Sequence, residues 1–163
     1  MAGSYPVDLP YTTPTVGGGS GVLTLLPSTT ITGNDVVAVS ATTKLDLYNR
    51  ATILLTVSGK TFDASTTLDI YLQYSPDEGT TWDDIAHFAQ ITNAAIANGT
   101  YVLSLNNGTA GVADRATEDA AGTLAANSVR NIPWCDRMRV KYDGANLAGT
   151  DTITIKVQGY FQH

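Results

Sequence analysis

Gly59-Lys60-Thr61 is the first place in the chain where residue types suggest chemistry, because Gly-Lys-Thr closes the phosphate-binding loop of nucleotide-hydrolysing proteins. That loop needs a second glycine five positions before Gly59, where this chain has Leu54. It also needs a following helix to aim backbone N–H groups at phosphate. Phe62-Asp63-Ala64-Ser65-Thr66-Thr67 instead leads into a strand-like run, so Ser58–Thr61 reads as a hairpin turn. Asp77, Glu78, Asp83 and Asp84 could offer oxygen ligands to calcium, but EF-hand spacing is missing and solvated carboxylates account for the cluster. His87 and His163 are the two histidines, and no G-x-S-x-G elbow accompanies them. Cys135, the single cysteine, follows Trp134 and reads as a small core residue; it excludes an internal disulfide and a Cys-based zinc site. Glutamate occurs only at Glu78 and Glu118, which leaves little for paired-carboxylate sugar hydrolysis. The expectation is a protein that is not an enzyme and needs no cofactor or metal.

Two further patterns concern shape and binding. Ser75-Pro76-Asp77-Glu78-Gly79-Thr80-Thr81-Trp82 fits S-x-D-x-G-x-T-W, the Asp-box, at every defined position. Its physics is local: Ser and Asp cap backbone groups, Gly takes an awkward φ, and Trp packs beneath. Such turns recur blade after blade in sialidase-like propellers, away from the catalytic centre, and one copy cannot build a propeller. The pattern is read as a hairpin joining strands at 68–74 and 82–88. Separately, Arg130, Arg137, Arg139, Lys141 and Lys156 place basic residues in the last third of a chain whose net charge is −6. Alternation puts Arg137, Arg139 and Lys141 on one exposed face of a strand, opposite Met138, Val140 and Tyr142. These cations either guard a sheet edge or meet an acidic neighbour.

The elements that must position these residues follow from composition and period. A chain of 163 residues and 17.2 kDa is the size of one domain and buries a core without staples. Only 15% of residues are charged, so Thr, Ser, Asn and Ala dress much of the surface, and the acidic balance argues against nucleic-acid binding. No apolar run reaches the ~20 residues of a membrane helix, and MAGSYPVDLPY lacks the start of a secretion signal. Residues 1–21, with Pro6, Pro10, Pro14 and the Gly17–Gly21 run, read as an extended arm before a single domain at 22–163. From Val22 the period is two, as in Leu68-Asp69-Ile70-Tyr71-Leu72-Gln73-Tyr74 and Thr152-Ile153-Thr154-Ile155-Lys156-Val157. With 137–142 and shorter candidates at 22–26, 36–39, 44–48, 51–57, 82–88 and 101–105, the pattern predicts an all-β antiparallel sandwich or barrel. Turns are expected at Asn98-Gly99, Asn107-Gly108 and Asp143-Gly144, and one short helical turn within 116–126.

The stretch LDIYLQYSPDEGTTWDDIAHF at 68–88 resembles segments of small β-rich virion proteins of tailed bacteriophages, and the strands at 137–142 and TITIKVQGYF are similar in style. Among those proteins the chain is most like the capsid decoration, or cement, proteins. The resemblance implies a jelly-roll-like β-sandwich with an N-terminal arm, made in the host cytoplasm and placed on the capsid surface of the virion. It implies a homotrimer that binds the major capsid protein and clamps neighbouring shell subunits, without nucleic-acid or membrane partners. The residues expected at such an interface are Tyr5, Pro6, Pro10, Tyr11 and Pro14 of the arm and the basic trio Arg137, Arg139 and Lys141. Two other readings stay open: a neck, tail or baseplate component, and a carbohydrate-binding sandwich using Tyr71, Tyr160 or Trp134 as a stacking platform.

Overall fold

The computed structural model describes residues 21–34, 36–42, 48–77, 79–106, 124–130 and 137–162. In chain order the strands are β1 (Gly21–Ile31), β2 (Val36–Thr42), β3 (Arg50–Thr61), β4 (Thr67–Ser75), β5 (Asp83–His87), β6 (Ile91–Thr92), β7 (Gly99–Asn106), β8 (Ser128–Val129), β9 (Arg137–Ala145) and β10 (Thr152–Gln162). One sheet has the order β1-β10-β3-β7. The other has the order β2-β9-β4-β5-β8, with β6 also pairing β4. Every pairing is antiparallel. The protein is an all-β sandwich of two packed sheets, as the period of two predicts.

Alternation decides what lies between the layers. Ile53, Leu55 and Val57 of β3 and Ile153, Ile155 and Val157 of β10 face inward from the first sheet. Leu68, Ile70 and Leu72 of β4 and Met138 and Val140 of β9 face them from the second. On the far side of β3 and β10, residues such as Thr52, Thr56, Thr154 and Lys156 stay half-exposed. The far side of β4 is different: Tyr71, Gln73 and Ser75 are buried there. The two sheets therefore present unlike outer faces, one wet and one covered. Gly159, inside β10, is held to glycine by close approach, since a methyl there would overlap the Phe161 ring.

Several turn expectations change. Ser58–Thr61 is the end of β3 and not a hairpin. Gly59 has φ +61 and sits where β3 slips register against β10, between Thr152 and Thr154, which is a β-bulge built on a left-handed glycine. Asp143-Gly144 continues β9, and the reversal comes later, with left-handed Asn146 and Gly149. Gly144 serves close packing, since a Cβ there would stand 2.8 Å from Leu147 Cδ1. Asn98-Gly99 does open β7, while Asn107-Gly108 lies outside the described residues. So do the arm at 1–20, with its interface candidates Tyr5, Pro6, Pro10, Tyr11 and Pro14, the strand expected at 44–48 apart from Tyr48, Glu78, Trp134, Cys135 and His163. Gly21, assigned to the arm from sequence, begins β1. Of the helical turn expected within 116–126, the described residues 124–126 are not helical.

Candidate functional site

The basic trio on β9 brings the sequence-derived interface residues together with groups that sequence reading left apart. β9 is an interior strand, paired with β2 on one side and β4 on the other, so its cations guard no edge. Alternation holds, but the expected exposure does not: Arg137 and Arg139 are half-buried and Lys141 is 3% exposed. Register explains what they meet. Gln73 lies opposite Arg139 and Tyr71 opposite Lys141, while the β4–β5 hairpin sets Gln73 opposite Asp84 and Tyr71 opposite His87.

These pairs form a connected polar network on the outer face of the second sheet. Arg139 Nε donates to Gln73 Oε1 at 2.6 Å, and Gln73 Nε2 donates to Asp84 Oδ1 at 2.8 Å. Asp84 Oδ2 accepts from the Leu124 backbone N–H at 3.2 Å. The Leu124 carbonyl lies 2.7 Å from His87 Nδ1, and His87 Nε2 lies 2.9 Å from Asp69 Oδ1. Gln90 Nε2 donates to Asp69 Oδ2 at 2.9 Å. Both ring nitrogens of His87 thus lie within hydrogen-bond distance of an acceptor oxygen. Tyr71 stacks on that ring at 4.0 Å between centroids. Burial pushes the Asp69 carboxyl up, but hydrogen bonds from His87 and Gln90 and the His87 charge outweigh it and hold the group below its ordinary range. Asp143, on the same face, is shifted the other way: burial raises it, Lys141 opposes that, and Asp69 adds to it.

The cations also brace the hairpin. The Arg139 guanidinium sits 4.2 Å from the Trp82 ring centroid, a cation–π contact. A side chain at Gly79 would meet Arg137 Nη1 at 3.1 Å. The Asp-box itself is formed as its pattern predicts. Ser75 Oγ accepts from the Gly79 N–H at 2.7 Å. Asp77 accepts from the Thr81 N–H at 2.6 Å and its hydroxyl at 2.8 Å, and Trp82 Nε1 donates to the Gly79 carbonyl at 3.1 Å. Hydrogen bonds, led by the Thr81 N–H, hold the Asp77 carboxyl below its usual range. Gly79 has φ +97, which demands glycine.

Lys60 of the rejected phosphate loop does something else. Its ammonium donates to the carbonyls of Thr92 and Ile96, each at 2.7 Å, with Ala95 at 3.1 Å and Asn93 at 3.2 Å. It thereby clamps a turn in which Ile96 is held at φ +59, a costly conformation for a β-branched residue. Beside that turn, between the β7 and β8 ends of the two sheets, lies a cleft of about 260 Å³ lined by Leu55, Phe88, Ile96, Tyr101, Val102 and Val129. Val102 and Val129 are 62% and 41% exposed.

Of the aromatic residues considered for sugar stacking, Tyr71 is 5% exposed and offers no platform. Tyr160 is half-buried. Among the described residues no cluster of three His, Cys, Asp or Glu side chains is placed to hold a metal ion, and no buried side-chain polar atom lacks a partner. The acidic cluster of the sequence is divided, with Asp77 in the turn and Asp83 and Asp84 buried on β5. Comparison with protein-family models and with curated proteins finds no match.

Proposed function

We propose that this chain is a structural, non-catalytic component of a tailed-phage virion that binds the outer surface of the capsid and strengthens contacts between shell subunits. The observation that carries the reading is strand order. With the two-residue ladders β6 and β8 set aside, the sheets are β1-β10-β3-β7 and β2-β9-β4-β5, and the chain passes repeatedly between them. That order supports a jelly roll, an architecture used by capsid and lectin domains. The resemblance at 68–88 adds the virion context, and the satisfied polar network of the second sheet suits a rigid scaffold. A homotrimer seated on the major capsid protein, joined through the segment before Gly21, is the working form.

The test is quantitative mass spectrometry of purified particles against the major shell subunit. A ratio near one is expected for a shell-covering protein; a ratio far below one moves it to the neck, tail or baseplate, and absence from particles overturns the virion reading. Deleting residues 1–20 is expected to reduce capsid occupancy while the domain, with β1 from Gly21 intact, still melts cooperatively. Unchanged occupancy would remove the arm from the mechanism.

A further inference from the structure

The two edges of the four-stranded sheet are built differently. Edge strands usually carry devices that prevent pairing with another chain, such as proline, charge, bulges or brevity. β1 has Pro27 and two register shifts against β10, between Thr24 and Leu26 and between Leu26 and Thr29. In the second sheet one edge, β8, is only two residues long, while the other, β2, also lacks charge, proline and a register shift but contributes no lining residue to the cleft. β7 has none of these devices. It is eight residues, Gly99–Asn106, without charge or proline, and pairs β3 from Arg50↔Asn106 to Val57↔Gly99 without a shift. Among the described residues no strand pairs its other side. The cleft opens beside it, and Val102 is 62% exposed.

The N-terminal sequence carries the complementary pattern. In an extended strand, alternate residues direct their backbone N–H and C=O groups to the same side. Pro6, Pro10 and Pro14 all fall on even positions, so their missing donors share one side, as suits a strand whose outer edge meets solvent. Tyr5, Val7, Leu9 and Tyr11 fall on the odd positions, which leaves one side with every donor intact and sets four apolar or aromatic side chains on one face.

We propose that residues 5–11 of a second copy of this chain add to β7 as an antiparallel strand, with the prolines turned outward and the apolar face toward the cleft. The length of chain argues for a second copy over the same one. Gly21 is level with Phe161, Ala51 and Leu105, and so with the Asn106 end of β7. An antiparallel segment beside β7 finishes at the Gly99 end, about 24 Å along the strands and about 19 Å across four strand spacings from there. The ten steps from Tyr11 to Gly21 span at most about 36 Å. The straight line of about 30 Å runs through the sheet's own strands, which leaves at most about 6 Å of chain for a route over one of its faces. An exchanged strand has no such constraint. This inference deepens the homo-oligomer part of the proposed function and is independent of the virion part, because it is tested on the purified chain.

The experiment is sedimentation velocity of the full chain over a micromolar concentration series, with Leu9→Pro and Asp8→Pro compared. Both substitutions lie outside the described residues. Leu9→Pro puts a proline on the pairing side and is expected to weaken self-association about tenfold or more. Asp8→Pro adds one to the side already occupied by prolines and is expected to leave association within about twofold. A monomeric full chain, or equal effects of the two substitutions, would overturn the proposal. The occupant is identified in a Cys135→Ser background by mixing Leu9→Cys chains with chains carrying Tyr101→Cys, a β7 residue on the cleft-facing side of the strand. Disulfide-linked dimers support exchange between copies, whereas closure within a doubly substituted monomer would overturn it in favour of the chain's own segment.

Discussion

Lys60 holds its turn through an ammonium among four backbone carbonyls, two of them at 2.7 Å. Hydrogen bonds to a charged group contribute more than neutral ones, and carbonyls deprived of a donor must find water. Lys60→Met keeps the length of the side chain and removes the donors. It is expected to lower unfolding free energy by about 2 kcal/mol in urea titration and to loosen the 92–96 turn, read as faster amide exchange there. Asp69 and Asp143 give opposite pH signatures. The Asp69 carboxyl is held below its unfolded value, so its contribution is complete above that value and is lost as pH falls through the folded one. Asp69→Asn is expected to flatten the loss of stability below about pH 4. Asp143 is raised by burial, so its ionised form costs stability: the contribution is present below the unfolded value and lost as pH rises through the folded one. Asp143→Asn is expected to raise the melting temperature at pH 7. A fall there would refute the assignment.

The β4–β5 hairpin shows how much of an element is legible from its residues. The Asp-box spacing names both the turn and the partner of each capping group, because every contact lies within a few residues of sequence. Asp77→Ala removes the acceptors of the Thr81 N–H and hydroxyl and is expected to lower the melting temperature and speed exchange of the Thr81 amide. The other end of the same hairpin is not legible. Counting outward from Tyr74↔Asp83 and Gln73↔Asp84, uniform register would place Tyr71 opposite Ala86 and turn His87 toward the core. The structure instead slips by one residue at Ile85, restoring Leu72↔Ala86 and Tyr71↔His87. A one-residue shift exchanges faces, and this one carries His87 to Asp69 and Leu124. The Gly59 bulge acts the same way on β3: the glycine was visible, but whether it made a turn or a bulge depended on β10. Gly59→Ala is expected to cost about 1 kcal/mol through its left-handed φ alone, since a Cβ there meets nothing.

For the whole molecule, the unlike outer faces set where substitutions matter. Leu72, fully buried between the sheets, is expected to cost about 3 kcal/mol when cut to Ala. Leu54, half-buried on the wet face of the first sheet, is expected to cost under about 1 kcal/mol. Similar costs for the two, measured by denaturant unfolding, would contradict the asymmetry. The basic trio belongs to this scale as well. From sequence, Arg137, Arg139 and Lys141 share a face because alternation is a property of the strand itself. Whether that face is an edge, a free patch or a buried network depends on strand order, which placed β9 between β2 and β4 and set acidic and amide groups of β4 and β5 against it. Gln73, Asp69 and Gln90 gave no sequence signal beyond being polar positions in strands, since their partners lie as much as 66 residues away. By itself the sequence determined the all-β class, most strand positions, the inward residues and the Asp-box, all of which follow from period and near-neighbour contacts. Which strands are neighbours, which edges lie unpaired among the described residues, and where two bulges turn Lys60 and His87 came only with the fold, because each is fixed by pairing between segments distant in the chain.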